Sequence, residues 1–430
     1  MSPREALASC HRAALDAVHA GRALERALAQ RELGPGPFAL AACGKAACAM
    51  AEAARRVLGA RISRGAVTTK DGHARAVAGL AVREAGHPLP DARSEAAARE
   101  ALALAGSLAP DESLLVLISG GASALWCAPA PGLALGDKRG TTELLLRSDA
   151  DIQALNTVRR HLSALKGGGL AKAARGHDVW SFAVSDVRGD ALCDVGSGPA
   201  SADPTRFADA LDALRTRGLL GEVPAAVRAR LERGAQGELE ETPKPGDAVF
   251  ARVREAVVAR LDDALAAAAA AARATGLRAR VLRGALDGEV SAVAARLAGE
   301  VRRARAAGDE LLVAGGEPTV VVRGAGRGGR AQELAVRLAL ALGPDAGATA
   351  LCAGTDGSDG ATGAAGGFSD ATTLVRAGAI GLDLAAALAR SDSHGILAAL
   401  GDLYVTGPTE TNVADLALVD VRPAPPRRSI

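Results

Sequence analysis

Leu311–Leu340 reads LLVAGGEPTVVVRGAGRGGRAQELAVRLAL, and the order of its parts decides the fold class. A short apolar run, Leu311–Ala314, ends on Gly315-Gly316 and Glu317. The β-branched run Val320–Val322 follows, then a loop with glycines at 324, 326, 328 and 329. From Arg330 onward the apolar residues take helical spacing. Strand, turn, strand, glycine loop, helix is an α/β pattern that gathers main-chain amides where an anion can approach them. Arg327 and Arg330 lie within and just after the loop, and Glu317, Gln332 and Glu333 add oxygens nearby. Taken alone, the stretch reads equally well as a hairpin with an exposed, charged tip.

The first half repeats the strand–glycine–helix layout. Phe38–Cys43 is a short apolar run, followed by Gly44-Lys45 and an alanine-rich helix to about Leu58. This arrangement puts helix-terminal amides at the carboxyl edge of a parallel sheet. The spacing of a Walker sequence is absent, and Lys45 by itself reads as a solvated lysine at a helix start. Ser113–Ile118 is the clearest strand and runs into Ser119-Gly120-Gly121-Ala122-Ser123, whose hydroxyls and amides suit a carboxylate or phosphate. Asp178–Val184 is another strand and leads to Asp186 and Asp190, placed to hold a metal or orient a hydroxyl, or to make an Asx-turn. Ser197 follows in a Gly-Ser-Gly-Pro turn.

The spacing predicts one helix over 2–30 and one over Asp151–Gly169, with Leu155, Val158, Leu162 and Leu165 on its apolar face. Asn156 and Arg159 then point away from that face. Lys166 falls in the last turn, where a cation often only complements the dipole. Glu222–Gly246 reads as a loose connection, and Val249–Thr275 as one long helix. Thr349–Ala353 is a strand leading to a loop with Asp356 and Asp359, and Asn412 lies in a later loop before the strand Leu416–Val421. The Pro- and Arg-rich tail from Arg422 is expected to be an exposed end. The boundary between two domains is placed at 240/241.

Composition narrows the function classes. The 430 residues carry a net charge of +2, so no basic field argues for nucleic acid or a membrane surface. Aromatics are 2% of the chain, too few for base-stacking platforms, and cores must be built from Ala, Val and Leu. None of the six cysteines forms a CxxC pair, and no signal peptide or spanning apolar run is visible, which points to the cytoplasm. Of the 51 basic residues six are lysine, so a lysine beside glycine, as at 45 and 166, raises the question of a role.

GGEPTVVVRGAGRGGRAQEL resembles the C-terminal signature of the glycerate 2-kinase family, the class that also holds proteins named hydroxypyruvate reductases and carries a MOFRL domain. Further matching blocks lie, in the family's order, at 41–46, 116–126, 155–169, 184–205, 352–373 and 404–416. The resemblance implies an α/β protein of two domains. A Rossmann-like three-layer domain with a parallel sheet would span 1–240, and a smaller α/β domain with a mixed sheet 241–430. It also implies an ATP- and Mg²⁺-dependent kinase acting on a small hydroxy acid, D-glycerate first, at a cleft between the domains, with a homodimer left open.

On that resemblance Lys45, Arg330 and Asp186 are the catalytic candidates, with Asp186 and Asp190 for the metal. Ser119, Gly120, Gly121, Ser123, Asn156, Arg159, Lys166, Asp190, Ser197, Glu317, Arg327, Gln332, Glu333, Asp356 and Asn412 are the candidates for substrate and nucleotide. The chain departs from the family pattern at Ala122, Ala259–Leu261, Ala331, Gly363, Arg390, His394 and Glu410. Three other readings follow: a kinase with a different polyhydroxy-acid acceptor, a nicotinamide-dependent hydroxypyruvate reductase, and a non-catalytic sugar-acid binding protein. The reductase reading lacks an early GxGxxG after a strand.

Overall fold

The computed structural model describes residues 1–148, 150–344 and 347–422. The tail expected to be an exposed end lies, beyond 422, outside the described residues. The chain divides into two compact units, Ala20–Ala259 and Met1–His19 with Arg260–Ile430.

In the first unit six strands form one sheet: β1 (Phe38–Cys43), β2 (Ile62–Lys70), β3 (Ala81–Ala85), β4 (Ser113–Ile118), β5 (Val179–Val184) and β6 (Val253–Ala259). Among the described residues the order is β3-β2-β1-β4-β5-β6, and every pairing is parallel. β1 and β5 are buried along their whole length, as expected for strands covered on both faces. One face of the sheet packs on the helix Ala92–Gly106 through alanines 97, 98, 101 and 105. Small side chains let helix and sheet approach closely, which compensates for the scarcity of aromatics. The strand order reverses direction between β1 and β4, the topological switch point at which open α/β sheets bind ligands.

In the second unit the strands are β7 (Ala279–Leu282), β8 (Gly288–Glu289), β9 (Leu311–Gly316), β10 (Pro318–Thr319), β11 (Thr349–Gly354), β12 (Gly366–Asp370), β13 (Leu403–Tyr404) and β14 (Asp415–Asp420). The main sheet runs β13-β12-β11-β14-β9-β7; among the described residues only β7 with β9 is parallel, so the sheet is mixed. β8 and β10 form a separate two-residue ladder.

Five sequence expectations shift. The segment Val249–Thr275 is not one helix: Val253–Ala259 is strand β6, and the helix begins at Leu261. Residues 253–259 pair with β5, so this part of the chain belongs to the first sheet, and the division falls at 259/260 rather than 240/241. The helix over 2–30 is two helices, Pro3–Ala17 and Ala20–Ala29, and the first belongs to the second unit, where it packs on Leu261–Ala274. The helix from Asp151 stops at His161, because Ser163 bridges to Pro129 and the amide of Ala164 donates to Ala128. Lys166 therefore lies in a loop. Val320–Val322 is not a strand; the loop that follows it is tied instead to Arg390–Asp392, by Gly326 N–H to the Arg390 carbonyl at 2.9 Å and Arg323 N–H to Ser391 at 3.0 Å.

Candidate active site

In the first unit the candidate residues converge on the switch point. β1 and β4 run in register from Phe38 opposite Ser113 to Cys43 opposite Ile118, so their exits lie side by side. The two exit loops are zipped together. Ser119 N–H donates to the Cys43 carbonyl at 2.9 Å, Lys45 N–H to the Gly120 carbonyl at 2.9 Å, and Ala46 N–H to Ser119 Oγ at 3.0 Å. Ser119 is fully buried and pins the Lys45 turn. Lys45 itself is half-buried, and its Cγ and the His87 ring line the space above Gly121.

Gly44 is obligatory for this arrangement. Its φ is +130°, and a Cβ there would sit 2.2 Å from Ser119 Oγ and 2.5 Å from the Ser119 carbonyl oxygen. A φ in this region alone costs a side-chain-bearing residue about 1–3 kcal/mol. Gly44→Ala is therefore expected to lower the melting temperature and to cut turnover by displacing Lys45, as thermal unfolding and a steady-state assay would read.

Beneath the loops runs a polar chain. Ser197 Oγ donates to Asn156 Oδ1 at 3.0 Å, so Ser123 Oγ, 2.9 Å from Ser197 Oγ, is the donor of that pair. Asn156 Nδ2 donates to Asp194 at 3.1 Å, Asp194 accepts from Arg160 at 3.0 Å, and Arg160 Nε lies 2.9 Å from Asp203. Asn156 and Ser197 are thus part of this hydrogen-bonded floor. Asp186 and Asp190 follow β5 at the same edge, both half-buried. Lys166 is buried, and its ammonium donates to the Gly196 carbonyl at 3.3 Å. Burial, with Lys138 adding repulsion, pushes its pKa down to about 7. Arg159 is half-buried and is pushed down to about 10 by burial. Nothing but its rarity marks Lys138 in the sequence.

In the second unit Arg330 opens the helix Arg330–Leu342 and faces the end of β9 and the start of β14. Its guanidinium reaches Asp415, with Nε 3.1 Å from Oδ2 and Nη2 3.3 Å from Oδ1, and also pairs with Glu317. Burial works against the Arg330 charge, but Asp415 and Glu317 outweigh it and raise its pKa. Burial pushes Asp415 up to about 7 despite the pull of Arg330. A cleft of about 490 Å³ beside this cluster is lined by Glu317, Pro318, Val322, Gly328, Arg330 and Ser393.

The helix N-terminus expected to receive an anion is already occupied from within the chain. Asp359 accepts from the amides of Ala331 at 3.2 Å and Gln332 at 2.8 Å. Gln332 Nε2 also reaches Asp359 at 3.0 Å, and Gln332 Oε1 meets His394 Nδ1 at 2.9 Å. Glu333 is buried against Arg337 at 2.7 Å, and Asp356 accepts from Ser358 N–H at 2.9 Å. Asn412 is buried near the start of β14. Arg327 is exposed, with its amide on Asp392 at 3.2 Å. The sequence marked Arg330 but not its buried counter-ion Asp415, which looks like an ordinary residue opening a strand.

Residues 6–232 match the family described as "Domain of unknown function (DUF4147)", and 310–415 match the MOFRL family. A D-glycerate 2-kinase of Thermotoga maritima is 36% identical over 410 residues, spanning 94% of this chain and 95% of its own. The chain belongs to the glycerate 2-kinase family. A crystal structure titled as a glycerate kinase of Thermotoga maritima superposes with a TM-score of 0.84 at 35% identity, over 97% of this chain and 99% of its own. An Agrobacterium vitis relative provisionally named a hydroxypyruvate reductase is 39% identical over 383 residues, 87% of this chain and 85% of its own. The departures from the glycerate 2-kinase pattern are built into the fold. Ala122 is a buried first residue of a short helix after Gly121, and His394 holds Gln332. Glu410, at φ +60°, pairs with His19 at 3.1 Å.

Proposed function

We infer that the chain is a cytoplasmic kinase that transfers the γ-phosphoryl group of ATP to the 2-hydroxyl of D-glycerate, giving 2-phosphoglycerate and ADP. The observation that carries this reading is a match of 36% identity across 94% of the chain to a D-glycerate 2-kinase, joined to a lysine at the switch point of the parallel sheet. Phosphoryl transfer asks for cations on the phosphate oxygens and alignment of the acceptor rather than covalent chemistry. Lys45 supplies a point charge at the β1 exit, and Arg330 a planar fork suited to phosphate oxygens. Glu317 gives way to the phosphate, while buried Asp415 keeps the fork oriented. Asp186 orients the acceptor hydroxyl.

Among the described residues no group of three or more His, Cys, Asp or Glu encloses a metal. Mg²⁺ asks for less, typically one or two carboxylates, with phosphates and waters completing its shell. Asp186 and Asp190 fit that demand. When bound, Mg²⁺ would neutralise charge on the phosphate oxygens. A reductase reading, suggested by the Agrobacterium vitis name, would need a glycine-rich dinucleotide turn after β1. The chain has Gly44-Lys45-Ala46-Ala47 there, and Lys45 stands where a pyrophosphate would approach. The two readings part on one experiment: the kinase releases ADP from MgATP with D-glycerate and oxidises no nicotinamide cofactor with hydroxypyruvate. The reverse result would establish the reductase.

A further inference from the structure

Lysine is rare in this chain, six of 51 basic residues, yet two of the six are buried in one place. Lys138 is 4% exposed and Lys166 2%. Each ammonium meets a single acceptor at long range, the Ala128 carbonyl at 3.4 Å for Lys138 and the Gly196 carbonyl at 3.3 Å for Lys166. Each therefore keeps N–H donors that the fold does not use. Arg159 lies within the electrostatic field of both. Among the described residues none of the three is ion-paired, and Arg159 donates no hydrogen bond. The carboxylate whose field reaches Lys138 is that of Glu95, already held by Arg99 at 2.7 Å. Burying cations together without an acid is costly, and burial drives both lysines towards the neutral form, which an anion among them would reverse.

The cluster is anchored to the switch point. Lys166 feels Cys43, the last residue of β1 before Gly44-Lys45, and binds the Gly196 carbonyl next to Ser197, which holds Ser123. Lys138 joins through the Ala128 carbonyl, which also accepts from Ser163 at 3.1 Å, and Ser163 Oγ in turn accepts from the Lys166 amide at 3.3 Å.

We propose that Lys138, with Arg159 and Lys166, forms an anion pocket that takes the carboxylate of the hydroxy-acid acceptor. The proposal rests on the kinase reading for the identity of the acid. Its chemical consequence is regiochemical. The carbon bearing the 2-hydroxyl is bonded directly to the carboxyl carbon, so a carboxylate held beneath the β1 exit presents the 2-hydroxyl, and not the 3-hydroxyl, towards Lys45. Phosphate oxygens of the nucleotide would suit the same donors, and the test separates the two sources.

Isothermal titration of D-glycerate and of ATP into the full chain, alongside steady-state kinetics, compares the wild type with Lys138→Met and Lys138→Arg. Lys138→Met should weaken D-glycerate binding and raise its KM by about tenfold or more, the loss expected for a charge-assisted hydrogen bond. The KM for ATP should stay within about twofold, since only the acceptor's contact is removed. Lys138→Arg should restore part of the affinity. The melting temperature of Lys138→Met should hold or rise, because a buried charge is removed, so a misfolded variant is not mistaken for the result. Unchanged D-glycerate binding in Lys138→Met, a loss confined to ATP, or a wild-type chain that binds no D-glycerate would each overturn the pocket. D-glycerate binding that depends on Lys138 in a wild-type chain that never releases ADP would sink the kinase reading and leave the pocket standing.

Discussion

Arg330→Ala is expected to lower kcat/KM by about a thousandfold or more, the range in which a phosphate-clamping arginine contributes to phosphoryl transfer. The same change leaves Asp415 buried without its cation, which costs about 3–5 kcal/mol when such a carboxylate stays charged. The stability deficit depends on pH, and its sign follows from Asp415. Burial raises this carboxyl to about 7 even beside Arg330, and the loss of Arg330 moves it higher. A carboxyl with a raised folded pKa contributes stability that is complete below its unfolded value and lost as pH rises through the folded one. Near pH 5 Asp415 is therefore neutral in both proteins and the deletion costs little. Near pH 8 the wild type keeps an ion pair that the variant lacks. Thermal melts across this range should show the gap between the proteins widening with pH. A pH-independent gap would remove Asp415 as the partner that Arg330 neutralises.

Lys45→Ala is the second large effect, and it should separate cleanly from stability. The bond that the Lys45 main chain makes, its amide to the Gly120 carbonyl at 2.9 Å, survives in alanine. The side chain is half-buried at the sheet edge, outside the apolar core, and its truncation should cost no more than about 1 kcal/mol in stability. Turnover should nonetheless fall by about a hundredfold to a thousandfold, as when a single preorganised donor to developing charge is removed. A variant with near-normal kcat would take Lys45 out of the chemistry. Lys45→Arg should recover little, because a planar fork does not replace a compact ammonium in a turn this tightly packed.

The parallel sheet was legible because its strands are short apolar runs that end on glycine or polar turns; Phe38–Cys43 and Ser113–Ile118 appear with the limits read from sequence. Val253–Ala259 was not, because its apolar residues run directly into the alanine-rich helix at Leu261 with no Gly or Pro between them. Helical periodicity continued past His161 on paper, but the chain turned there to bond with Ala128, a contact that local sequence does not encode. The candidate site was half legible. Lys45 and Arg330 announce themselves beside glycines. The buried partner of Arg330 does not: Asp415 matters through its burial and the charge beside it, and both are properties of the packed chain. Gln332 and Asn156, polar residues in matched blocks, bond within the chain to Asp359 and His394, and to Asp194 and Ser197, partners that local sequence does not reveal.

Phosphorylation of a hydroxy acid at the switch-point lysine is the reaction inferred for this chain. ADP release from MgATP, measured with D-glycerate for the wild type and Lys45→Ala side by side, tests it most directly. ADP release should depend on D-glycerate in the wild type and nearly vanish in the variant, with 2-phosphoglycerate as the product. Equal release by both proteins, or none by the wild type at saturating D-glycerate, would contradict it.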